Sequence, residues 1–351
     1  MKSRPPPSPA AKTRAAHEDG PVTIEMVARM AGVSPSTISR VLNGTAAVSE
    51  IKKQAIHSAI AQLGYVPNPM ARGLAGGRTY SVGVITQAVD SPFYGAALRG
   101  IEEELDPAGY RPLIVSGNWN AAGEARCIEL LRSRRVDGII VLTGRLPDQA
   151  LQACARTVPV VVTGRSLKGP GLYSLKFDNF AGAHIATQHL IQLGHRHIGF
   201  ITGDSEHPDS MERLNGYKAA LQSAGIEFDP SLVVPGEYHE VSGMLAVERL
   251  LQSRTIVTAI FAANDQMAFG AALGLRRRSL RVPDDISLVG FDDLPTSQFA
   301  SPPLSTVHQP AHELGRLAAS SMLHLLTGTQ PTAEVAAPRF VVRESTRHLS
   351  G

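Results

Sequence analysis

Cysteine is nearly absent. Cys127 and Cys154 are the only two in 351 residues, too few for a disulfide framework and without metal-ligand spacing. Long apolar runs are missing too. No stretch could span a bilayer, and the N-terminal residues lack the apolar centre of a secretion signal, so a cytoplasmic protein without a membrane partner is expected. Enzyme signatures are equally scarce. The chain contains no Walker loop, nucleophile elbow or zinc-binding helix, and His195, His197 and His308 are scattered. A non-enzymatic protein with no cofactor and no metal is the expectation.

Charge is present but unevenly placed. Up to Arg78 there are ten Lys/Arg against four Asp/Glu, so this segment carries +6 of an overall +3 and the remainder carries −3. A basic head on a mildly acidic body fits a polyanion-binding head, because neutralising phosphates drives nucleic-acid affinity.

The head has the pattern to use that charge. VTIEMVARMAGVSPSTISRVLN, residues 22–43, predicts a helix-turn-helix. Thr23 is placed to cap a first helix, with Glu25 favouring the positive end of its dipole. Ile24, Val27, Ala28 and Ala31 recur at helical spacing before Gly32, which permits a tight turn. Ser34 is a second cap, Pro35 suits the first helical position, and Ile38, Val41 and Leu42 form the inward stripe. Pro35, Ser36, Thr37, Ser39 and Arg40 remain outward, short polar groups with one long cation, as a major-groove helix requires. A third helix opens at Ser49, turns Ala55, Ile56, Ala59, Ile60 and Leu63 inward, and stops at Gly64.

Four segments follow from this reading: a Pro/Ala-rich disordered tail over 1–21, a helix-turn-helix domain over 22–67, a hinge or linker over 68–78, and a core over 79–351. The hinge begins like a helix at Asn68-Pro69 but runs barely two turns and contains Gly73, so it should fold only with help from a partner copy and DNA. In the core, buried strands are predicted at 81–86, 112–116, 138–142, 158–162, 197–202, 259–262, 286–290 and 306–308. Helices intervene, among them 95–105, 181–193 and 265–275. Apolar strands with helical crossovers imply an α/β fold of parallel sheets, and about 270 residues of it imply two lobes with a cleft between them.

The headpiece motif, VSEIKKQAIHSAIAQLGYVPN, PMARGLAGGRTYSVGVI, the FDNFAGAHIATQHLIQLGHRHIGFITG block, AANDQMAFGAA, RVPDDISLVGFDDL and PPLSTVHQP follow one another in an order that resembles the LacI/GalR family of bacterial transcriptional regulators. The resemblance runs from Val22 to about Arg347. It implies a headpiece, a hinge helix, a core like periplasmic sugar-binding proteins, and a homodimer on a roughly palindromic double-stranded operator. By position in the motif, Pro35, Ser36 and Arg40 face base edges, with Arg40 placed to read a guanine. Ser34, Thr37, Ser39 and Asn43 are suited to phosphates, and Thr23 and Asn68 are further DNA-side candidates. Leu74 matches a leucine that the family wedges into the minor groove; packing on its own lobe is the alternative.

A small-molecule effector is implied in the cleft, with Phe93, Tyr94, Asp178, Arg213, Tyr238, Asn264, Asp292 and Gln309 as its candidate contacts. Asp178 has the alternative of a helix cap, and Asp265 beside Asn264 is a natural N-cap. An arginine fork, a carboxylate acceptor, an amide and ring faces fit a sugar or glycoside, and so a repressor of sugar-utilisation genes released by its ligand. A purine or nucleoside corepressor would use the same arginine and rings, but His207 and Asp209 depart from the arginine and threonine associated with purine-type members. A secreted sugar-binding protein would share the lobes but not the headpiece. No leucine heptads close the chain, so a dimer is expected rather than a tetramer.

Overall fold

The computed structural model describes residues 22–43, 48–66 and 77–349, and divides into two compact units, Met1–Thr79 and Tyr80–Gly351. The expected tail, Asn68 and Leu74 lie outside the described residues, as does the Asn43 side chain.

The first unit holds α1 (Ile24–Ala31), α2 (Pro35–Asn43) and α3 (Glu50–Leu63). Val27, Ala28, Ile38, Ile56 and Ala59 form its buried centre, one or two residues from each helix. The chain turns from α1 at Gly32 in the left-handed region (φ 62°), where a side chain would be strained. Ser34 caps α2, its Oγ accepting from the Thr37 N–H at 3.3 Å. Thr23 departs from the expectation. Its side chain makes no cap bond to the backbone, and its hydroxyl lies against Glu25 instead, holding that carboxyl below its usual range.

The second unit is two sheets with helices on both faces. The first lobe carries β1 (Ser81–Thr86), β2 (Arg111–Ser116), β3 (Gly138–Val141), β4 (Val160–Thr163) and β5 (Leu172–Leu175), all parallel, in the order β2-β1-β3-β4-β5. The second lobe carries β6 (Ile198–Thr202), β7 (Val233–Pro235), β8 (Ala259–Ala262), β9 (Ser287–Asp292), β10 (Ser305–His308) and β11 (Arg339–Val341), ordered β11-β10-β9-β8-β6-β7. Seven of the eight expected strands start within one residue of the observed ones, and the fourth starts two residues later; β5, β7 and β11 were not expected. β11 is also antiparallel to β10, a departure from all-parallel pairing that a short edge strand tolerates.

Around the first sheet lie α4 (Pro92–Leu105), α5 (Ala121–Ser133), α6 (Asp148–Ala155) and α11 (Ala311–Leu326); around the second, α7 (Asn179–Gln192), α8 (Pro208–Ser223), α9 (Glu240–Leu251) and α10 (Asp265–Arg277). The chain enters the second lobe after β5, returns after β10 so that α11 packs along α4, and enters it again before β11. Gly100 and Gly315 sit where α4 and α11 meet backbone to backbone. A Cβ on either would strike a carbonyl of the other helix. In both sheets the first strand of the lobe lies second from one edge, flanked by the next two strands of its lobe (β2 and β3 about β1, β7 and β8 about β6), so the strand order reverses there. Ligand crevices in open α/β sheets form outside the C-terminal strand ends at such a reversal.

Candidate functional site

The strand ends of the two lobes converge on a cavity of about 370 Å³, within the range of small-molecule sites. Phe93, Tyr94, Arg213, Tyr238, Asn264, Asp292 and Gln309 line it, seven of the eight cleft residues expected from sequence. Asp178 does not. It is exposed, and its carboxylate caps α7 by accepting from the Ala181 N–H at 2.8 Å, while the next residue, Asn179, turns into the cavity wall. Asn264 and Asp265 also divide their roles differently from expectation. Asn264 both lines the cavity and caps α10 through the Met267 N–H (2.9 Å), and Asp265 is fully buried, accepting from Leu294 N–H, Ser297 Oγ and Thr306 Oγ1.

Arg213 is the centre of the second-lobe wall. Its Nε donates to Asn179 Oδ1 at 2.9 Å, one Nη to Gln309 Oε1 at 3.0 Å, and the other to the Ala263 carbonyl. Asn179 and Gln309 stand where the chain crosses between lobes, so two of the three crossings bear on one guanidinium. Its flat face lies 3.7 Å from the centre of the Phe291 ring. Asp292 Oδ1 is 3.8 Å away, an ion-pair distance without a bidentate bond.

Two adjacent aspartates show how differently burial and partners act. Burial drives the Asp292 carboxyl well above its ordinary range, and Arg213 opposes this only in part. Against its own burial, Asp293 is held below that range by Arg343 (2.6 Å) and His308 (2.8 Å). Asp293 is therefore satisfied by the fold, and Asp292, at φ 112°, is left in a strained backbone with an acceptor to spare.

Sequence reasoning missed Trp119, and it read His207 and Asp209 only as departures from the purine-type pattern, not as cavity contacts. Burial raises Asp209 to about 6 and lowers His207 to about 3, so His207 is neutral at physiological pH. Asp209 Oδ1, His207 Nε2 and the Tyr238 hydroxyl are buried without a hydrogen-bond partner. Each such atom costs about 1–3 kcal/mol, so this wall is unsatisfied in the absence of a polar guest or water. Trp119, the only tryptophan, comes from the loop after β2 and packs edge-on against His207 of the other lobe at 4.3 Å between centroids. With Phe93, Tyr94 and Tyr238 it completes an arc of rings. Arg145 adds a second bridge between the lobes, to Asp204 and to Glu206 (2.7 Å).

In the first unit, Thr23, Ser34, Pro35, Ser36 and Arg40 are exposed, Thr37 and Ser39 are half-buried, and Ile38 is sealed behind them. The Ser34 hydroxyl touches those of Ser36 (2.8 Å) and Thr37 (2.9 Å), a short polar ridge beside Arg40. Among the described residues no His/Cys/Asp/Glu group could hold a metal, and no helix is long and apolar enough to cross a membrane.

Residues 23–68 match the family model for bacterial regulatory proteins of the lacI family, and 187–346 match a periplasmic binding protein-like domain. The HTH-type transcriptional repressor PurR of Haemophilus influenzae is 34% identical over 336 residues, which is 93% of this chain and 99% of the relative. A solved complex of the transcriptional regulator CelR with cellobiose is 36% identical with a TM-score of 0.69, over 92% of this chain and 99% of that one. The lac repressor dimer bound to operator and the anti-inducer ONPF is 30% identical with a TM-score of 0.85, over 93% and 100%. With a lacI-type headpiece, a periplasmic-binding-protein-like core and relatives matched over nearly their whole length, the chain belongs to the LacI family of bacterial transcriptional regulators.

Proposed function

We propose that this regulator is a dimeric repressor that binds a roughly palindromic operator and is released by a sugar or glycoside held between the core lobes. The observation that carries the effector class is the buried Arg213 beside Asp292 and Asp209 in a ring-lined cavity. A guanidinium fork donates to hydroxyl oxygens, the two carboxylates accept from hydroxyl protons, and the rings take the C–H faces of a pyranose. CelR, with cellobiose in its solved complex, is a relative for which such a ligand is on record. The protein acts by binding, in the cytoplasm where its operator lies.

On the DNA side, Arg40 reads a guanine, Pro35 and Ser36 shape the fit to base edges, and Thr23, Ser34, Thr37, Ser39, Asn43 and Asn68 hold phosphates, with Leu74 as the minor-groove wedge. Ligand binding closes the lobes in a geometry that keeps two hinges apart. The ligand must prefer that state by several kcal/mol to empty the operator.

A melting-temperature screen with cellobiose, other di- and monosaccharides, hypoxanthine and guanine, followed by operator titration, tests the reading. A sugar that raises the melting temperature and weakens operator binding is the expected result. A purine base that raises it and strengthens operator binding would replace the sugar reading with a corepressed one. On an operator selected from random DNA, Arg40→Ala should relax preference at one guanine position by about 10- to 100-fold.

A further inference from the structure

Outside the cavity, charge also joins the two lobes. The Arg145 guanidinium, from the loop after β3, donates to Asp204 and to Glu206 (2.7 Å) in the loop after β6. None of these three lines the cavity, but the second-lobe loop leads to a residue that does. That residue is His207, which follows Glu206 and meets the Trp119 ring of the first lobe. On the first-lobe side, two buried polar side chains hold the backbone. Glu124, in the first turn of α5, accepts from the Arg145 N–H (2.9 Å) and from the Leu146 N–H (2.9 Å). Gln87, just after β1, accepts from the Trp119 N–H (3.0 Å) and donates to the Thr143 carbonyl (3.1 Å). Thr143 and Gly144 both stand at positive φ (55° and 144°), and a Cβ on Gly144 would strike Glu124. The loop that presents Arg145 is therefore fixed, and Gln87 ties it to the loop that presents Trp119.

We infer that Arg145 is a positioning residue for lobe closure: from outside the cavity it draws the 204–207 segment onto Trp119 even when the cavity is empty, while Gln87 and Glu124 keep the two first-lobe halves of this clasp in register. The ring contact acts only at touching distance, whereas the ion pair acts over a longer range and brings the rings together. The pair is also open to solvent. The Glu206 side chain is 73% exposed and that of Arg145 25%, so dissolved ions screen their attraction. The clasp is therefore a severalfold bias toward the closed lobes, and it weakens as salt rises. A bias toward one state raises the affinity of whatever prefers that state and lowers the affinity of whatever prefers the other. Its consequence for sugar and operator rests on the reading above; the clasp itself does not.

Trp119 is the chain's single tryptophan and is half-buried, so its fluorescence reports the clasp directly. The test is acrylamide quenching of that fluorescence in the full chain without ligand, between about 20 and about 500 mM salt. It is run on the natural chain, on Arg145→Gln and on the double variant Asp204→Asn with Glu206→Gln. Quenching of the natural chain should rise about twofold with salt, and both variants should give the high-salt value throughout, although they alter opposite lobes. Arg145→Lys should recover part of the shielding. Asp148→Asn removes an ion pair to Arg165 within the first lobe and should change nothing. Salt-independent quenching that is equal in the natural chain and Arg145→Gln overturns the clasp. So does a rise in Arg145→Gln that the acid-side variant fails to reproduce, since it marks a local disturbance of the first lobe. With a sugar that weakens operator binding, Arg145→Gln should lower sugar affinity about three- to tenfold and leave operator affinity unchanged or raised. A loss of both would assign Arg145 to fold integrity and overturn its positioning role. If quenching responds as expected and no sugar binds, the clasp stands and the sugar reading falls.

Discussion

The two lobes face the same cavity with different chemistry. Every buried charged residue of its wall, Arg213, Asp209 and Asp292, comes from the second lobe, as does the buried neutral His207. The first lobe supplies Phe93, Tyr94 and Trp119 with the hydroxyls of Thr143 and Thr163. Buried charges must be held by a network, and Arg213 is held by three partners in its own lobe and at the crossings. Rings need no such network, and their contact with the far wall changes as one lobe moves against the other. Under the proposed function, recognition belongs to the second lobe and closure to the first.

That division can be broken by substitution on each side. Arg213→Lys keeps the charge but loses the planar fork, and should weaken sugar binding by about 100-fold with operator binding retained. Isothermal titration and operator anisotropy on the same preparation check both halves. Trp119→Ala removes only ring contacts and should cost about tenfold in sugar affinity. A loss as large as that of Arg213→Lys would put recognition in the first lobe as well.

A smaller effect sharpens the picture of the polar wall. Asp209 titrates at about 6 instead of 3.8 because burial disfavours its ionised form. A sugar hydroxyl donating to it favours that form, so binding lowers the pKa and releases a proton. Affinity should therefore rise severalfold between about pH 5 and 7, and Asp209→Asn should flatten the profile. Titrations in buffers of different ionisation enthalpy count the proton. For the free protein the sign is opposite: the raised pKa favours folding at low pH, and that contribution fades as pH rises from about 4 through 6.

Much of this was legible in the chain because it depends on local rules. The Gly32 turn, the Ser34 cap, the Ile38 stripe and the Gly64 stop are set by neighbours within a few residues. Buried parallel strands announce themselves by composition, which is why β1 and β8 were placed to the residue. β7 and β11 were not, being three-residue edge strands of mixed burial with no period to read. The cleft was legible where a motif marked it, at Arg213, Asn264 and Asp292. It was illegible at Trp119 and His207, 88 positions apart in sequence, whose meeting depends on how two lobes close. The chain's single tryptophan in a loop after a strand was the available signal. Asp178 and Asn179 show the limit of residue-level reading. One step along the chain separates a helix cap from a cavity wall.

Filling the cavity should change DNA affinity. The most direct test is operator affinity measured by anisotropy with and without a saturating concentration of whichever sugar raises the melting temperature most, for the natural chain and for Arg213→Lys. At least a tenfold loss of operator affinity is expected in the natural chain and none in Arg213→Lys at the same sugar concentration. Unchanged operator affinity in a natural chain whose cavity is demonstrably filled would contradict it.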